Sequence, residues 1–445
     1  MRRRQGWSVA VADAASGTAS VLWTSPNRLN GTYPGTHGQS NLHWAAGRIT
    51  FLSYHDGWPH LYSIPETGGE PLLLTPGNYM CEYISLSPDA KNLVFAANTG
   101  KDPLAIDRRH VVKVPVDKAA PIVLSEADMG WTPFITGDLR TIAFISATHH
   151  RPPMPSVVPA QGGAVKVLGM DRIPKEFPSS QLVMPRQVVV KSPDGLNIHC
   201  QLFESPGGPA KKPAVIYIHG GPPRQMLLGW HYSDYYANAY ATNQLLASKG
   251  FIVLSVNYRL GIGYGFEFHN APNSGTAGAS EYQDIKAAGE WLARQSNVDA
   301  SRIGVYGGSY GGYLTAMALA RDSKLFAAGV DIHGVHDRTV ERVRNIALPD
   351  KYERAPDADL AVEVAWKSSP VAYIDQWKSP VLIIHADDDR NVRFSQSTDL
   401  VRRLEKAGVP METMVIVDDT HHFMSHANQV RVNKAVADFF ERKLR

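Results

Sequence analysis

Cysteine is scarce in this sequence: only Cys81 and Cys200 occur among 445 residues, one in each half. Two thiols so far apart neither demand a disulfide nor build a metal site, and both read as small, buried apolar residues. Long apolar runs are missing too. No stretch approaches the ~20 apolar residues of a membrane span, and the first thirty residues lack the apolar core of a signal peptide. As written, the chain reads as cytoplasmic and free of membrane. Charge of one sign is equally scarce. The net charge is +3, with no basic run beyond Arg2-Arg3-Arg4, so nucleic-acid binding has no electrostatic footing. Metal-ligand spacing is also absent: the adjacent His149 and His150 have no second ligand cluster and read as a solvated loop. No metal and no cofactor is called for.

What is present, 44% hydrophobic and 20% charged residues, suffices for a full core and for two domains. Residues 1 to about 180 are rich in short β-type runs, and they repeat. Trp44 to Phe51, Leu86 to Phe95 and Phe134 to Phe144 share one hairpin pattern, an apolar residue, a polar turn and an apolar strand closing on Phe; the closing phenylalanines are 44 and 49 residues apart. A second marker follows each, in Ile64-Pro65, Val114-Pro115 and Val158-Pro159. Periods of ~40–50 residues with several strands per unit indicate propeller blades. Three blades and a two-strand fragment from Trp7 to Trp23 make about three and a half, whereas closed rings usually need 4–8. Open blade edges invite pairing. Two expectations follow: the chain starts partway through a longer protein, which its abrupt start inside a blade-like strand favours, or the edges are covered by the second domain or by another subunit in a homo-oligomer. Between Pro152 and Pro185 seven prolines loosen the pattern, and a linker is expected at about 170–185.

From residue 186 the grammar changes. A hairpin (188–190 and 199–203) turns at Ser192-Pro-Asp-Gly195. Strands then alternate with helices: 214–218 and a helix to Lys249; 251–256 and a helix over 280–295; 303–306 and a helix over 310–320; strands 327–332, 381–385 and 413–417; helices near 395–407 and 428–443. Alternation of this kind builds a mainly parallel sheet covered on both faces. Ser280-Glu-Tyr-Gln283 reads as a capping box before the stripe Ile285, Ala288, Gly289 and Leu292.

Within this half, Gly307-Gly-Ser309-Tyr-Gly311 joins an apolar strand to an apolar helix, where a nucleophile elbow must sit. A Cβ at either outer glycine would collide with neighbouring elements, and the turn strains Ser309 while exposing it. In open α/β sheets reactive groups gather beyond the carboxyl ends of the strands. Three further places there carry the right side chains. His219-Gly-Gly-Pro222 has the form of a loop that gives a backbone N–H to an oxyanion hole, with Gly221 as one donor, Tyr310 as the other and His219 orienting the loop. Asp387, Asp388 and Asp389 end a later strand; one of the three is expected to orient a histidine, and spacing alone does not choose. His421 follows the last strand, with His422 as runner-up. The order Ser, Asp, His is that of α/β hydrolases.

His219-Gly-Gly-Pro222, Asn257-Tyr-Arg-Leu-Gly-Ile-Gly-Tyr-Gly265, Gly307-Gly-Ser-Tyr-Gly-Gly-Tyr313, Asp388-Asp-Arg-Asn-Val392 and His421-His-Phe423 together resemble the prolyl oligopeptidase family of serine peptidases, its dipeptidyl- and acylaminoacyl-peptidase branches most of all. The resemblance covers 186–445 and is weaker over the blades. It implies an α/β-hydrolase catalytic domain over 186–445, preceded by an incomplete β-propeller over 1–180. It places the nucleophile on Ser309, the base on His421 and the acid on Asp389. It implies that Asn391 hydrogen-bonds the substrate backbone, that Val335 to Arg344 lines part of the acyl-side pocket, and that the substrate is a short peptide. Two departures stand out: the family usually has seven or eight blades, and no Glu-Glu pair occurs in residues 1–185, where the dipeptidyl branch holds the substrate's amine. An esterase or broad amidase, and an inactive binding scaffold, are the rival readings.

Overall fold

Alternating apolar and polar residues broken by tight turns make the N-terminal half a series of antiparallel hairpins. The computed structural model describes residues 5–34, 41–126, 128–340 and 357–445. A two-stranded sheet pairs β1 (Ser8–Ala12) with β2 (Ala19–Thr24). Three four-stranded antiparallel sheets follow in chain order. The first holds β3 (Leu42–Ala45), β4 (Arg48–Ser53), β5 (His60–Pro65) and β6 (Leu72–Leu73). The second holds β7 (Cys81–Leu86), β8 (Asn92–Ala97), β9 (His110–Pro115) and β10 (Ile122–Val123), and the third β11 (Met129–Ile135), β12 (Thr141–Ala147), β13 (Met154–Pro159) and β14 (Lys166–Val167). The repeat read from the sequence is this sheet. Phe51, Phe95 and Phe144 sit buried on the second strand of each, and Pro65, Pro115 and Pro159 end the third. Burying each such ring contributes about 1.5–3 kcal/mol.

Successive sheets share cores. Ile49, Phe51 and Tyr62 pack with Val9 of the two-stranded sheet, Leu52 and Leu61 with Leu93 and Phe95, and Val94 and Val111 with Ile142 and Phe144. These are partial propeller blades. By contacts the chain divides into two compact units, the first being the described residues up to Ser180 together with Leu227–Tyr232 and Gly261–Asn270. Both added segments are tied in by hydrogen bonds, Leu228 N–H to the Asp107 carbonyl at 3.0 Å and Asn98 Nδ2 to the Gly263 carbonyl at 2.8 Å. Cys81 and Cys200 are both buried and form no disulfide. Among the described residues no helix is long and apolar enough to cross a membrane.

The second unit is built on an eight-stranded sheet. Its strands are β15 (Arg186–Lys191), β16 (Asn197–Phe203), β17 (Lys212–Ile218), β18 (Ile252–Asn257), β19 (Val298–Gly308), β20 (Ala328–Ile332), β21 (Val381–Ala386) and β22 (Met411–Ile416). Their order across the sheet is β15-β16-β18-β17-β19-β20-β21-β22. β15 and β16 form the antiparallel hairpin at one edge, and β18 to β22 and β17 pair in parallel. The central strands β17, β18, β20 and β21 are buried at every position, as strands covered on both faces must be. The covering helices are α1 (Asp234–Ser248), α3 (Tyr282–Ala293), α4 (Tyr310–Arg321), α5 (Ala358–Lys367), α6 (Ser395–Lys406) and α7 (His426–Leu444); α2 (Phe266–His269) lies in the first unit.

One local expectation fails. The capping box at Ser280 does not form: α3 starts at Tyr282 without a side-chain cap. Ser280 Oγ donates instead to the Pro272 carbonyl, and Gln283 Nε2 to Asp194 Oδ2. The loop before α3 supplied tertiary partners that competed with the cap. The core stripe behind it, Ile285, Ala288, Gly289 and Leu292, is buried as expected.

Candidate active site

β19 ends at Gly308 and α4 begins at Tyr310, so Ser309 alone makes the turn, at φ 59° and ψ −117°. This is a strained conformation for a residue with a side chain. The Ser309 N–H donates to the Ile332 carbonyl at 2.9 Å, which anchors the turn to the neighbouring strand. Two glycines make the turn sterically feasible, since a Cβ at Gly307 or at Gly311 would overlap the Ile218 carbonyl oxygen. The loop after β17 lies against the same serine: a Cβ built on Gly220 would stand 3.3 Å from Ser309 Cβ. Within that loop His219 is fully buried, its Nδ1 2.7 Å from the Gly220 carbonyl oxygen and its ring stacked on Tyr258. Burial pushes its pKa down to about 4. Gly221 follows at φ 113°, and Tyr310 is the first residue of α4, where an N–H lies outside the helix ladder.

Of the three aspartates after β21, Asp387 and Asp388 are exposed and Asp389 is buried. Asp389 Oδ1 accepts the N–H groups of Asn391 and Val392 at 2.8 and 2.9 Å. Its Oδ2 lies 2.6 Å from His421 Nδ1 and 3.2 Å from His385 Nε2. Burial acts to raise the Asp389 pKa, but the hydrogen bonds from His385, His421 and the Val392 N–H outweigh it and hold the carboxyl well below the ordinary range. His421 is buried, whereas His422 is exposed, its ring tilted against that of Tyr235 with centroids 5.1 Å apart. The loop carrying His421 is fixed by Asp419, whose Oδ1 accepts the Thr420 and Met424 N–H groups and whose Oδ2 accepts from Asn428.

Three residues of this neighbourhood were not singled out in the sequence. His333, at φ 41° just past β20, packs its ring against that of His421 with centroids 4.1 Å apart and planes tilted by 30°, and its Nε2 meets the Tyr235 hydroxyl at 3.0 Å. Burial, reinforced by the nearby His421 and His385, drives its pKa well below the ordinary value, so the ring is neutral. Its place beyond the carboxyl end of a parallel strand was a usable signal; Tyr235 and His385 carried none. Ligand-type atoms of His333, Asp389 and His421 lie within 4.8 Å of one another, a closeness that the Asp389–His421 hydrogen bond and the tilted ring contact account for without a cation. Val335 and Asn391 line one cleft of about 510 Å³, together with Val340, Arg390 and Arg393. Of the stretch Val335 to Arg344, residues 341–344 lie outside the described residues.

A serine strained at a strand-to-helix turn and a buried Asp–His pair, all beyond the carboxyl ends of a mainly parallel sheet, define an α/β-hydrolase domain. Comparison with known proteins narrows the class. The pattern of the prolyl oligopeptidase family matches residues 237–445, and that of the dipeptidyl peptidase IV (DPP IV) N-terminal region matches 1–133. Residues 237–445 thus carry the pattern of the prolyl oligopeptidase family. It is 31% identical to dipeptidyl aminopeptidase BIII of Pseudoxanthomonas mexicana over 52% of this chain and 33% of that protein. It is 28% identical to the human acylamino-acid-releasing enzyme over 51% of this chain and 31% of that protein. The matched stretch is thus about a third of the length of either relative. A puromycin-hydrolyzing peptidase of Mycobacterium tuberculosis shares the fold, with a TM-score of 0.80 at 20% identity, covering 100% of this chain and 66% of that one.

Proposed function

We propose that the chain is a serine peptidase that cleaves short peptides through an acyl-enzyme on Ser309, with His421 as base and Asp389 as its partner. The observation that carries this reading is the 2.6 Å contact between His421 Nδ1 and a buried Asp389 held ionised. With Nδ1 committed to Asp389, Nε2 takes the Ser309 proton as Oγ attacks the carbonyl, and Asp389 stabilises the imidazolium that results. The Gly221 and Tyr310 N–H groups receive the oxyanion; loss of one such donor typically costs ~10²–10³ in rate. His421 then returns the proton to the leaving amine, and water releases the acyl group. Asn391 and Val335, which share a cleft, are assigned to the substrate. Two buried cysteines that form no disulfide fit a reducing compartment such as the cytoplasm.

Relatives named both as dipeptidyl aminopeptidases and as acylamino-acid-releasing enzymes support peptide substrates at the coarser level. The test is labelling by a fluorophosphonate probe. Wild-type protein is expected to label, and Ser309→Ala to lose all labelling with an unchanged circular dichroism spectrum; a labelled Ser309→Ala would remove the assignment. Turnover of peptide p-nitroanilides separates a peptidase from an esterase, since hydrolysis of p-nitrophenyl esters alone would reject the peptidase reading.

A further inference from the structure

Beside the elbow stands a cation with no anion in contact among the described residues. Tyr310, the residue after Ser309, places its ring 5.1 Å beneath the Arg338 guanidinium, and Tyr313, one turn later on α4, places its ring 4.7 Å away. The guanidinium thus lies across two aromatic faces. The Arg338 backbone N–H is satisfied by Ser369 Oγ at 2.9 Å, yet its side-chain Nε is buried with no hydrogen-bond partner. A buried, unpaired donor on a charged group is costly, and native structures seldom retain one without a use.

Two carboxylates near it among the described residues, Glu281 and Asp337, are already engaged. Glu281 is fully buried and accepts the Tyr310 hydroxyl on Oε1 at 2.6 Å, and its two oxygens also face the Gly275 N–H at 3.2 and 3.1 Å. Asp337 turns its Oδ1 to the Thr339 N–H and hydroxyl. Glu281 therefore fixes Tyr310, and through it the platform on which Arg338 lies, without meeting the guanidinium itself. The backbone of Gly275 closes in on the same side: a Cβ there would stand 3.4 Å from the Tyr310 hydroxyl and 3.6 Å from Arg338 Nη2. Nε and the adjacent Nη of arginine form a planar fork matched to the two oxygens of a carboxylate.

We propose that Arg338 is a specificity residue that receives a carboxylate of the substrate, namely an acidic side chain on the residue whose carbonyl Ser309 attacks. This rests on Ser309 being the nucleophile, because Tyr310 then couples the guanidinium to the site of acyl transfer. A bound Asp or Glu side chain supplies the acceptor that Nε lacks and neutralises a cation already stripped of part of its water.

The experiment compares p-nitroanilides of short peptides carrying Glu, Asp, Gln, Asn or Ala at that position, with purified full-length protein. Glu or Asp is expected to exceed its amide counterpart by ~10- to 100-fold in kcat/KM. Arg338→Gln is expected to bring that ratio close to one, whatever it does to the rates common to all substrates, and Arg338→Lys to retain only part of it, having the charge without the fork. A purely structural role would lower all substrates together. A wild-type ratio near one overturns the proposal without need of any variant, as does a preference for an acidic residue on the leaving side. If no anilide is turned over, protection of Ser309 from the fluorophosphonate by Glu peptides at concentrations ~10-fold below those of Gln peptides is the same test, and equal protection overturns it. Failure of the wild-type protein to label at all overturns the assignment of Ser309 instead, so the two readings fail separately.

Discussion

Asp389 meets two imidazoles through one oxygen and two backbone N–H groups through the other, so each of its lone pairs has an assigned partner. Asp387 and Asp388, adjacent in sequence, face water. The three substitutions to Asn therefore separate cleanly. Asp389→Asn is expected to lower kcat by about 10⁴, because an amide at that position favours the wrong imidazole tautomer. Asp387→Asn and Asp388→Asn are expected to stay within ~3-fold of wild type, as surface changes of this kind usually do. Equal loss from all three in a p-nitroanilide assay would show that no single carboxylate orients His421. A run of three aspartates is mute on this choice, since only the backbone turn after β21 decides which carboxyl is buried.

At the scale of elements, the segment after β20 is pinned by a second acid–histidine pair. Asp331 and His336 are both fully buried, with Oδ2 and Nε2 2.5 Å apart, and His336 also binds the Gln396 carbonyl through Nδ1. Burial alone would lower the His336 pKa, but the Asp331 charge and hydrogen bond raise it above the ordinary histidine value. A histidine whose folded pKa is raised adds stability that is fully present below its unfolded value, ~6.5, and is lost as pH climbs through the folded value. His336→Gln leaves Asp331 buried without its cation, and is expected to destabilise by about 3–5 kcal/mol at pH 6. The gap to wild type, read from urea melts, should narrow toward pH 9; a gap independent of pH would mean that His336 is not held as a cation. The elbow was legible from sequence because steric need leaves glycine no substitute at 307 and 311. The cap at Ser280 was misread because a hydroxyl takes whichever acceptor the fold brings near.

At the scale of the whole molecule, the three four-stranded sheets and one two-stranded sheet among the described residues are fewer than the blades of usual closed rings. Each full sheet ends in a strand of only two residues, β6, β10 or β14, a short edge of the kind that resists pairing. The first sheets differ, because Val21, Leu42 and Trp44 are 65, 53 and 58% exposed. Contiguous exposed apolar patches are the kind of surface through which proteins associate. Light scattering at micromolar concentration is expected to give a dimer or larger species, and Leu42→Lys to shift it toward monomer. A wild-type monomer would show that the edge is tolerated bare.

The sequence by itself determined the two-part architecture, the repeat of the blades and the elbow around Ser309, because periodicity and obligatory glycines are local properties of a chain. Spacing left the three aspartates open and the family resemblance chose Asp389; only the tertiary structure decided that the His333 ring packs against His421 and that the Arg338 guanidinium lies over Tyr310 and Tyr313. Burial and pairing are set by segments far apart in sequence, and the free energy of a charge depends on what surrounds it rather than on its neighbours along the chain.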